Sequence, residues 1–363
     1  MSKEDFVALG GAVALIALVA VFGTHNPFVR PAPAPANIIP FGTFDSSSSF
    51  ADSLLSTSKL IASPTSATKK NASATTTKEN SAPGLPLALG SLRDALVNVI
   101  CTSKDGSVRS ISGSGVIVSP NGLILTNAHI AQLFLLKNYP TKDNVVCVVR
   151  NGNPARNAYT AELAYISPSW ITKNPRTLVL KNPTGTGEND IAVLAITGSA
   201  TSQPLPKVFP YVSLATKEPF IKEPVAIGSY GAQTLTSKQI LTSLYPTLVF
   251  GAVRDVYTFE THTIDVLSLG GSAVAQEGSS GGGAVNSDGE LVSLITTSTN
   301  QGDLATRDMH AITVGHIRRS FMEDSGMSFD AFIKNEGMGT VVAAFKTRAD
   351  SLTSTLTGAM TAK

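Results

Sequence analysis

The stretch from Gly115 to His129, GVIVSPNGLILTNAH, decides the fold. Two apolar runs, Gly115-Val116-Ile117-Val118 and Leu123-Ile124-Leu125, flank Ser119-Pro120-Asn121-Gly122. Proline presets φ and the following residues tolerate a positive one, so these four predict a tight hairpin between two strands. The second strand then delivers Thr126-Asn127-Ala128-His129. An imidazole is thus expected at the end of a buried strand, a place where a reactive side chain is held firmly.

Outward from this hairpin the same signature repeats. Val97-Asn98-Val99-Ile100, Val145-Val146-Cys147-Val148-Val149 and Ile191-Ala192-Val193-Leu194 form one set of short β-rich runs. Val225-Ala226-Ile227, Thr247-Leu248-Val249-Phe250, Leu291-Val292-Ser293-Leu294-Ile295 and Ala311-Ile312-Thr313-Val314 form a second. Short strands separated by Gly, Pro, Asn and Asp turns predict an all-β class, and two clusters predict two barrels, divided near Thr201 to Pro210. Helix is expected only at Ala131 to Lys137 and in the C-terminal segment from Gly315 onward.

The composition excludes several functions. At 363 residues the chain has ample capacity for a core, and 28 Lys and Arg against 26 Asp and Glu leave no basic stripe for a nucleic-acid backbone. Five scattered histidines and two cysteines offer no metal-ligand spacing, so neither a metal nor another cofactor is expected.

Residues 1–24 are read as a membrane anchor or signal segment. The run from Phe6 to Gly23 carries no charge, and its length is near the roughly 17 to 25 residues of a bilayer-crossing helix. An uncleaved anchor is the preferred reading, because the flanks do not form an ordinary cleavage site; the alternative is secretion after cleavage near Ala34-Pro35-Ala36. Residues 25–90, rich in Pro, Ala, Ser and Thr, are expected to be a disordered stalk with a mean reach on the order of 40 Å. Residues 91–321 are expected to hold the two barrels, about 91–203 and 204–321, and 322–363 a helical or partly disordered tail.

Chemistry enters with a third segment. In Glu277-Gly278-Ser279-Ser280-Gly281-Gly282-Gly283 a serine sits among glycines that permit tight bending and close approach of a substrate carbonyl. Upstream, Asn189-Asp190 puts a carboxylate directly before a buried strand. Hydrolysis of a peptide by an alcohol needs a hydroxyl, an imidazole base, a carboxylate to fix that base, and donors for the oxyanion. His129, Asp190 and Ser280 supply the first three, and the amides of Gly278 and Ser280 the fourth. A groove used for peptide capture with little turnover is the alternative.

Four runs carry a resemblance: SGSGVIV at Ser112 to Val118, LTNAH at Leu125 to His129, NDIAVL at Asn189 to Leu194, and GSSGGGAV at Gly278 to Val285. In them, and in the order His, Asp, Ser, the chain resembles the trypsin/chymotrypsin superfamily of serine proteases, and within it the bacterial HtrA-like (DegP-like) branch. The resemblance spans about Leu92 to Phe321. It implies two six-stranded antiparallel barrels, a Ser-His-Asp triad with an acyl-enzyme intermediate, and polypeptide substrates met outside the cytoplasm, in a periplasmic or extracellular space.

It also assigns further positions. Val274 falls at the base of the first substrate pocket, where an acid would select Lys or Arg; Thr296 and His310 fall beside that pocket, and Thr296 also where the buried carboxylate is supported. In the barrel that is implied, the strands bearing Cys101 and Cys147 are neighbours, so a disulfide is one expectation and two buried thiols the other. The chain departs from the pattern at Ser279, where zymogen-type proteases carry an Asp, and no PDZ-like segment is expected in the residues after Phe321.

Overall fold

The structure is a computed structural model that describes residues 29–37, 84–180, 183–260, 262–298, 302–335 and 337–361. The apolar run Phe6–Gly23 lies outside the described residues. No helix among the described residues is long and apolar enough to cross a membrane.

Two short strands, β1 (Arg30–Pro31) and β2 (Ala36–Asn37), precede the body, which begins with helix α1 (Leu85–Ala95). The first half follows as β3 (Leu96–Ser103), β4 (Ile111–Ile117), β5 (Leu123–Thr126), α2 (Ala128–Leu135), β6 (Val145–Asn151), β7 (Arg156–Ile166), α3 (Pro168–Lys173), β8 (Thr184–Gly185) and β9 (Ala192–Ser199). The second half comprises β10 (Pro224–Ser229), α4 (Ser237–Thr242), β11 (Thr247–Ala252), β12 (Asp255–Thr258), β13 (Val266–Gly270), β14 (Gly283–Val285), β15 (Leu291–Ser298) and β16 (Met309–Thr313). Helices α5 (Val314–Ser325), α6 (Phe329–Ile333) and α7 (Met338–Thr361) end the chain.

The first half closes as expected, into a six-stranded barrel of order β3-β4-β5-β9-β7-β6. Strands β3, β4 and β5 are buried along their whole length, which is why their sequences read as continuous apolar or small-residue runs. Cys101 pairs directly with Cys147 across β3 and β6, and a disulfide joins them with α-carbons 4.1 Å apart.

The second half corrects the expectation of a second closed six-stranded barrel. Its strands form an eight-stranded sheet of order β1-β12-β13-β16-β15-β14-β10-β11, with β1 and β11 at the edges among the described residues. The reason lies at the corner between β11 and β12. Val253 donates its amide to Glu223 next to β10, and Arg254 donates to Ser268 on β13, so adjacent residues bind opposite ends of the sheet. The gap is bridged by covalent chain and not by a ladder.

The stalk reading also gives way at its two ends. Residues 30–37 lie on the folded body: β1 pairs in parallel with β12, β2 pairs antiparallel with β8, and the Ala32 amide donates to Thr258 O at 2.7 Å. Arg30 also meets Asp255, but the arginine is 71% exposed and such a pair contributes little. At the other end, Leu85, Ala88, Leu92 and Ala95 are buried at helical spacing, so the body starts at Leu85 and not at Ser91.

Two polar anchors tie elements together. Arg150 on β6 is buried and donates to Asn98 Oδ1 and to the Ile240 and Leu241 carbonyls at the end of α4, joining the halves. Burial lowers its guanidinium pKa to about 10. The C-terminal tail packs on the first barrel, with Val341, Val342, Phe345, Leu352 and Leu356 of α7 buried.

Asp265 is the second anchor. Burial by itself raises its carboxyl, but His316, Thr263, the Phe259 amide and Arg319 all donate to it and hold it well below the carboxylate range. Because the folded group ionises at lower pH than the unfolded one, the stability it contributes is complete above about pH 4 and is lost as pH falls toward the depressed value. Asp265→Asn is therefore expected to cost about 3 kcal/mol at neutral pH. Urea unfolding at neutral and at acid pH checks this, since the difference from wild type should shrink as the wild-type carboxyl protonates.

Candidate active site

His129 stands in the first turn of α2, immediately after β5 ends at Thr126. Its backbone amide donates to Asp190 Oδ1 at 2.9 Å and its Nδ1 meets Asp190 Oδ2 at 2.6 Å, with both side chains buried. A carboxylate only accepts, so in this contact Nδ1 carries the proton and Nε2 becomes the basic nitrogen.

Asp190 is itself fixed from three sides. Thr296 Oγ1 donates to Oδ2 at 2.9 Å, and Asn127 Nδ2 donates to the Asp190 carbonyl at 3.0 Å. The preceding Asn189 adopts a φ of 59°, which asparagine tolerates, and its side chain accepts from Ser320 on α5. A carboxylate held in this way cannot swing away from the imidazole.

Ser280 sits on the glycine loop ahead of β14. Its carbonyl accepts from the Ser114 amide at 2.8 Å, which seats the loop against β4. The Ser280 hydroxyl is buried and has no hydrogen-bond partner among the described residues. Contacts of this kind are often long in unliganded enzymes and tighten only around substrate.

The loop's backbone is otherwise almost fully engaged. Ala232 N donates to Glu277 O, Ser279 N to Gln276 O, Gly281 N to Ile295 O and Gly282 N to Ser279 O. Among the described residues the amides of Gly278 and Ser280 have no such acceptor, so two N–H groups that flank the serine remain available for an anion. Where a zymogen-type aspartate would lie, Ser279 is fully buried and accepts from Ser229 Oγ at 2.9 Å. This hydroxyl pair ties the serine loop to the end of β10.

The sequence-predicted positions therefore divide. His129, Asp190 and Thr296 are brought into one hydrogen-bonded chain, with Ser280 on the loop that β4 supports. Val274 is wholly buried in the core of the second half beside Ala275 and Met309, and His310 is turned toward Asp308 at 3.1 Å. Sequence reasoning missed Asn127, Asn189, Ser229 and above all Ser114. Their signal was present, as polar residues inside strands or motifs that read as buried, but their partners lie far away in the chain. A cavity of about 520 Å³ between α7 and the first barrel is lined by Leu133, Cys147 and Phe345, among others, and includes none of the catalytic candidates.

Comparison with known proteins adds the family. No curated protein matches the sequence. Among solved structures, a protease from M. tuberculosis in its active form is 16% identical, with a TM-score of 0.40, over 73% of this chain and 95% of that one. A serine endoprotease from Yersinia pestis is 23% identical, with a TM-score of 0.41, over 69% of this chain and 66% of that one. The family described as the trypsin-like peptidase domain matches residues 113–294, from the β4 strand through the glycine loop to β15. That match takes in His129, Asp190 and Ser280 together and half of the chain, and the protein belongs to the trypsin-like peptidase family of serine proteases.

Proposed function

We propose that this protein is an HtrA-like serine endopeptidase, tethered to a membrane by Phe6–Gly23 and cutting exposed or unfolded polypeptide outside the cytoplasm. The observation that carries the catalytic reading is the buried 2.6 Å contact between His129 Nδ1 and Asp190, beside a serine loop with two unspent amides. His129 Nε2 takes the Ser280 proton as Oγ attacks the scissile carbonyl, and the oxyanion binds the Gly278 and Ser280 amides. The imidazolium then protonates the leaving amine, and the C–N bond breaks to give an acyl-enzyme. Water, deprotonated by the same imidazole, hydrolyses that ester and regenerates Ser280. Asp190 stays ionised throughout, holding the tautomer, and Thr296 holds Asp190. No cofactor takes part.

For the first substrate pocket, Val274 in place of an acid favours a small or aliphatic residue over Lys or Arg, with Thr296 and His310 as neighbouring walls. The hydroxyl of Ser280, without a partner among the described residues, is the observation that favours the alternative, a peptide-binding module with little turnover. A fluorophosphonate probe separates the two. Covalent labelling of the full chain is expected, mapped by mass spectrometry to Ser280; a folded protein that stays unlabelled there would leave only the binding module.

A further inference from the structure

Ser114 lies in the middle of β4 and is fully buried, yet all of its polar atoms are engaged. Its amide donates to Ser280 O, its carbonyl accepts from Thr126 Oγ1, and its hydroxyl accepts from the Tyr230 amide while donating to Gly278 O, each at 2.8 Å. Four segments meet on one residue: the first barrel, the end of the strand that delivers His129, the end of β10, and the serine loop.

We infer that Ser114 is a positioning residue for the proposed peptidase reaction, its hydroxyl setting the direction in which the oxyanion-binding amides point. The inference rests on the catalytic reading above and extends it to a residue that does not touch substrate. Gly278 connects two peptide planes. The one before it is held by Ala232 N, which binds Glu277 O at 2.7 Å and so turns the Gly278 N–H the opposite way. The one after it is held at its carbonyl by the Ser114 hydroxyl, 2.8 Å, and at its N–H by the longer bond from Ser279 N to Gln276 O, 3.1 Å. With a φ of 87°, Gly278 is in a region that glycine leaves as readily as it enters, so a plane that loses the Ser114 donor is kept from rotating only by the Ser279–Gln276 bond. That rotation swings the Ser279 N–H, which lies in the same plane, and displaces the adjoining plane that carries the Ser280 N–H. Because the same hydroxyl is also the acceptor for Tyr230 N, its own direction is fixed and it cannot follow the carbonyl.

Ser114→Ala is expected to lower kcat about 100-fold with KM changed less than about 3-fold, because only the developing oxyanion loses its donors. Affinity for a peptide aldehyde, which forms the same oxyanion, should fall in parallel, while affinity for the cleaved product peptide should not. A purely structural role would move the melting midpoint and leave kcat, per folded molecule, where it was. Ser114→Cys fills nearly the same volume with a weaker donor and decides the matter if the alanine protein does not fold; an intermediate kcat is expected. Wild-type kcat in a folded Ser114→Cys or Ser114→Ala protein would overturn the inference. Crystal structures of the two variants read it without turnover: a rotated 278–279 peptide supports it, and a wild-type peptide plane sinks it. If the parent chain shows neither labelling nor hydrolysis, the catalytic reading fails on its own, and the peptide plane still answers for Ser114.

Discussion

Ser280→Ala is expected to lower kcat for peptide hydrolysis about a million-fold and to abolish fluorophosphonate labelling. His129→Ala should fall nearly as far, and the double substitution no further than Ser280→Ala, because nucleophile and base act as one unit. Asp190→Asn is a finer test. An amide in place of the carboxylate both accepts and donates, and donation toward Nδ1 forces the proton onto Nε2, the nitrogen that must accept from Ser280. With the buried geometry otherwise kept, a loss of about 10,000-fold is expected. Steady-state kinetics on a peptide substrate measure all four. A Ser280→Ala protein that retained hydrolysis, or an Asp190→Asn protein as active as its parent, would break the triad assignment.

The second large effect is expected at Gly281. This residue has a φ of 82°, and a β-carbon there would lie 2.0 Å from Ser114 O and 2.6 Å from Thr126 Oγ1. Gly281→Ala therefore combines a left-handed backbone with collision against a carbonyl that cannot yield, because it is part of β4. A cost of roughly 3 kcal/mol is expected, together with a shift of Ser280 that lowers kcat at least 100-fold, on the order of what a 1 Å misplacement costs. Gly289→Ala is the control. Gly289 also has a positive φ, 78°, but nothing lies within 4 Å of its added carbon, so it should cost about 1 kcal/mol and leave kcat alone. Denaturant midpoints and kcat on the two proteins separate backbone strain from collision.

The first barrel was legible because its signals agree. Leu123 to Leu125 is apolar, bounded by a hairpin on one side and by Thr126-Asn127-Ala128-His129 on the other, and it forms a strand along its whole length. Strand β7 was not legible, although it is the longest among the described residues. Its first half is exposed or half-buried and its sequence, RNAYTAELAYI, contains Asn, Ala and Glu, so neither alternation nor an apolar run marks it. Helix α1 was hidden by Pro86 and Gly90, which argue against a helix locally; Pro86 falls in the first turn, where its missing N–H costs nothing.

The site divides along the same line. Side chains whose chemistry is unusual for their setting, His129 after a strand and Asp190 before one, announce themselves. Ser114 does not, since its importance is created by Gly278, 164 residues further on, and by Tyr230. The short strands β1 and β2 were read as stalk for a related reason. They join the body through backbone ladders at edges, and an edge strand asks little of its side chains and accepts proline.

That N-terminal docking alters what a tether would do. If Phe6–Gly23 is seated in a bilayer, only residues 24–29 separate it from Arg30, where the chain is already clamped to Tyr257. Six residues drawn straight span no more than about 20 Å. The catalytic body would then ride at headgroup height with one face turned to the lipid, and it would meet the polypeptides that emerge at or lie along that surface.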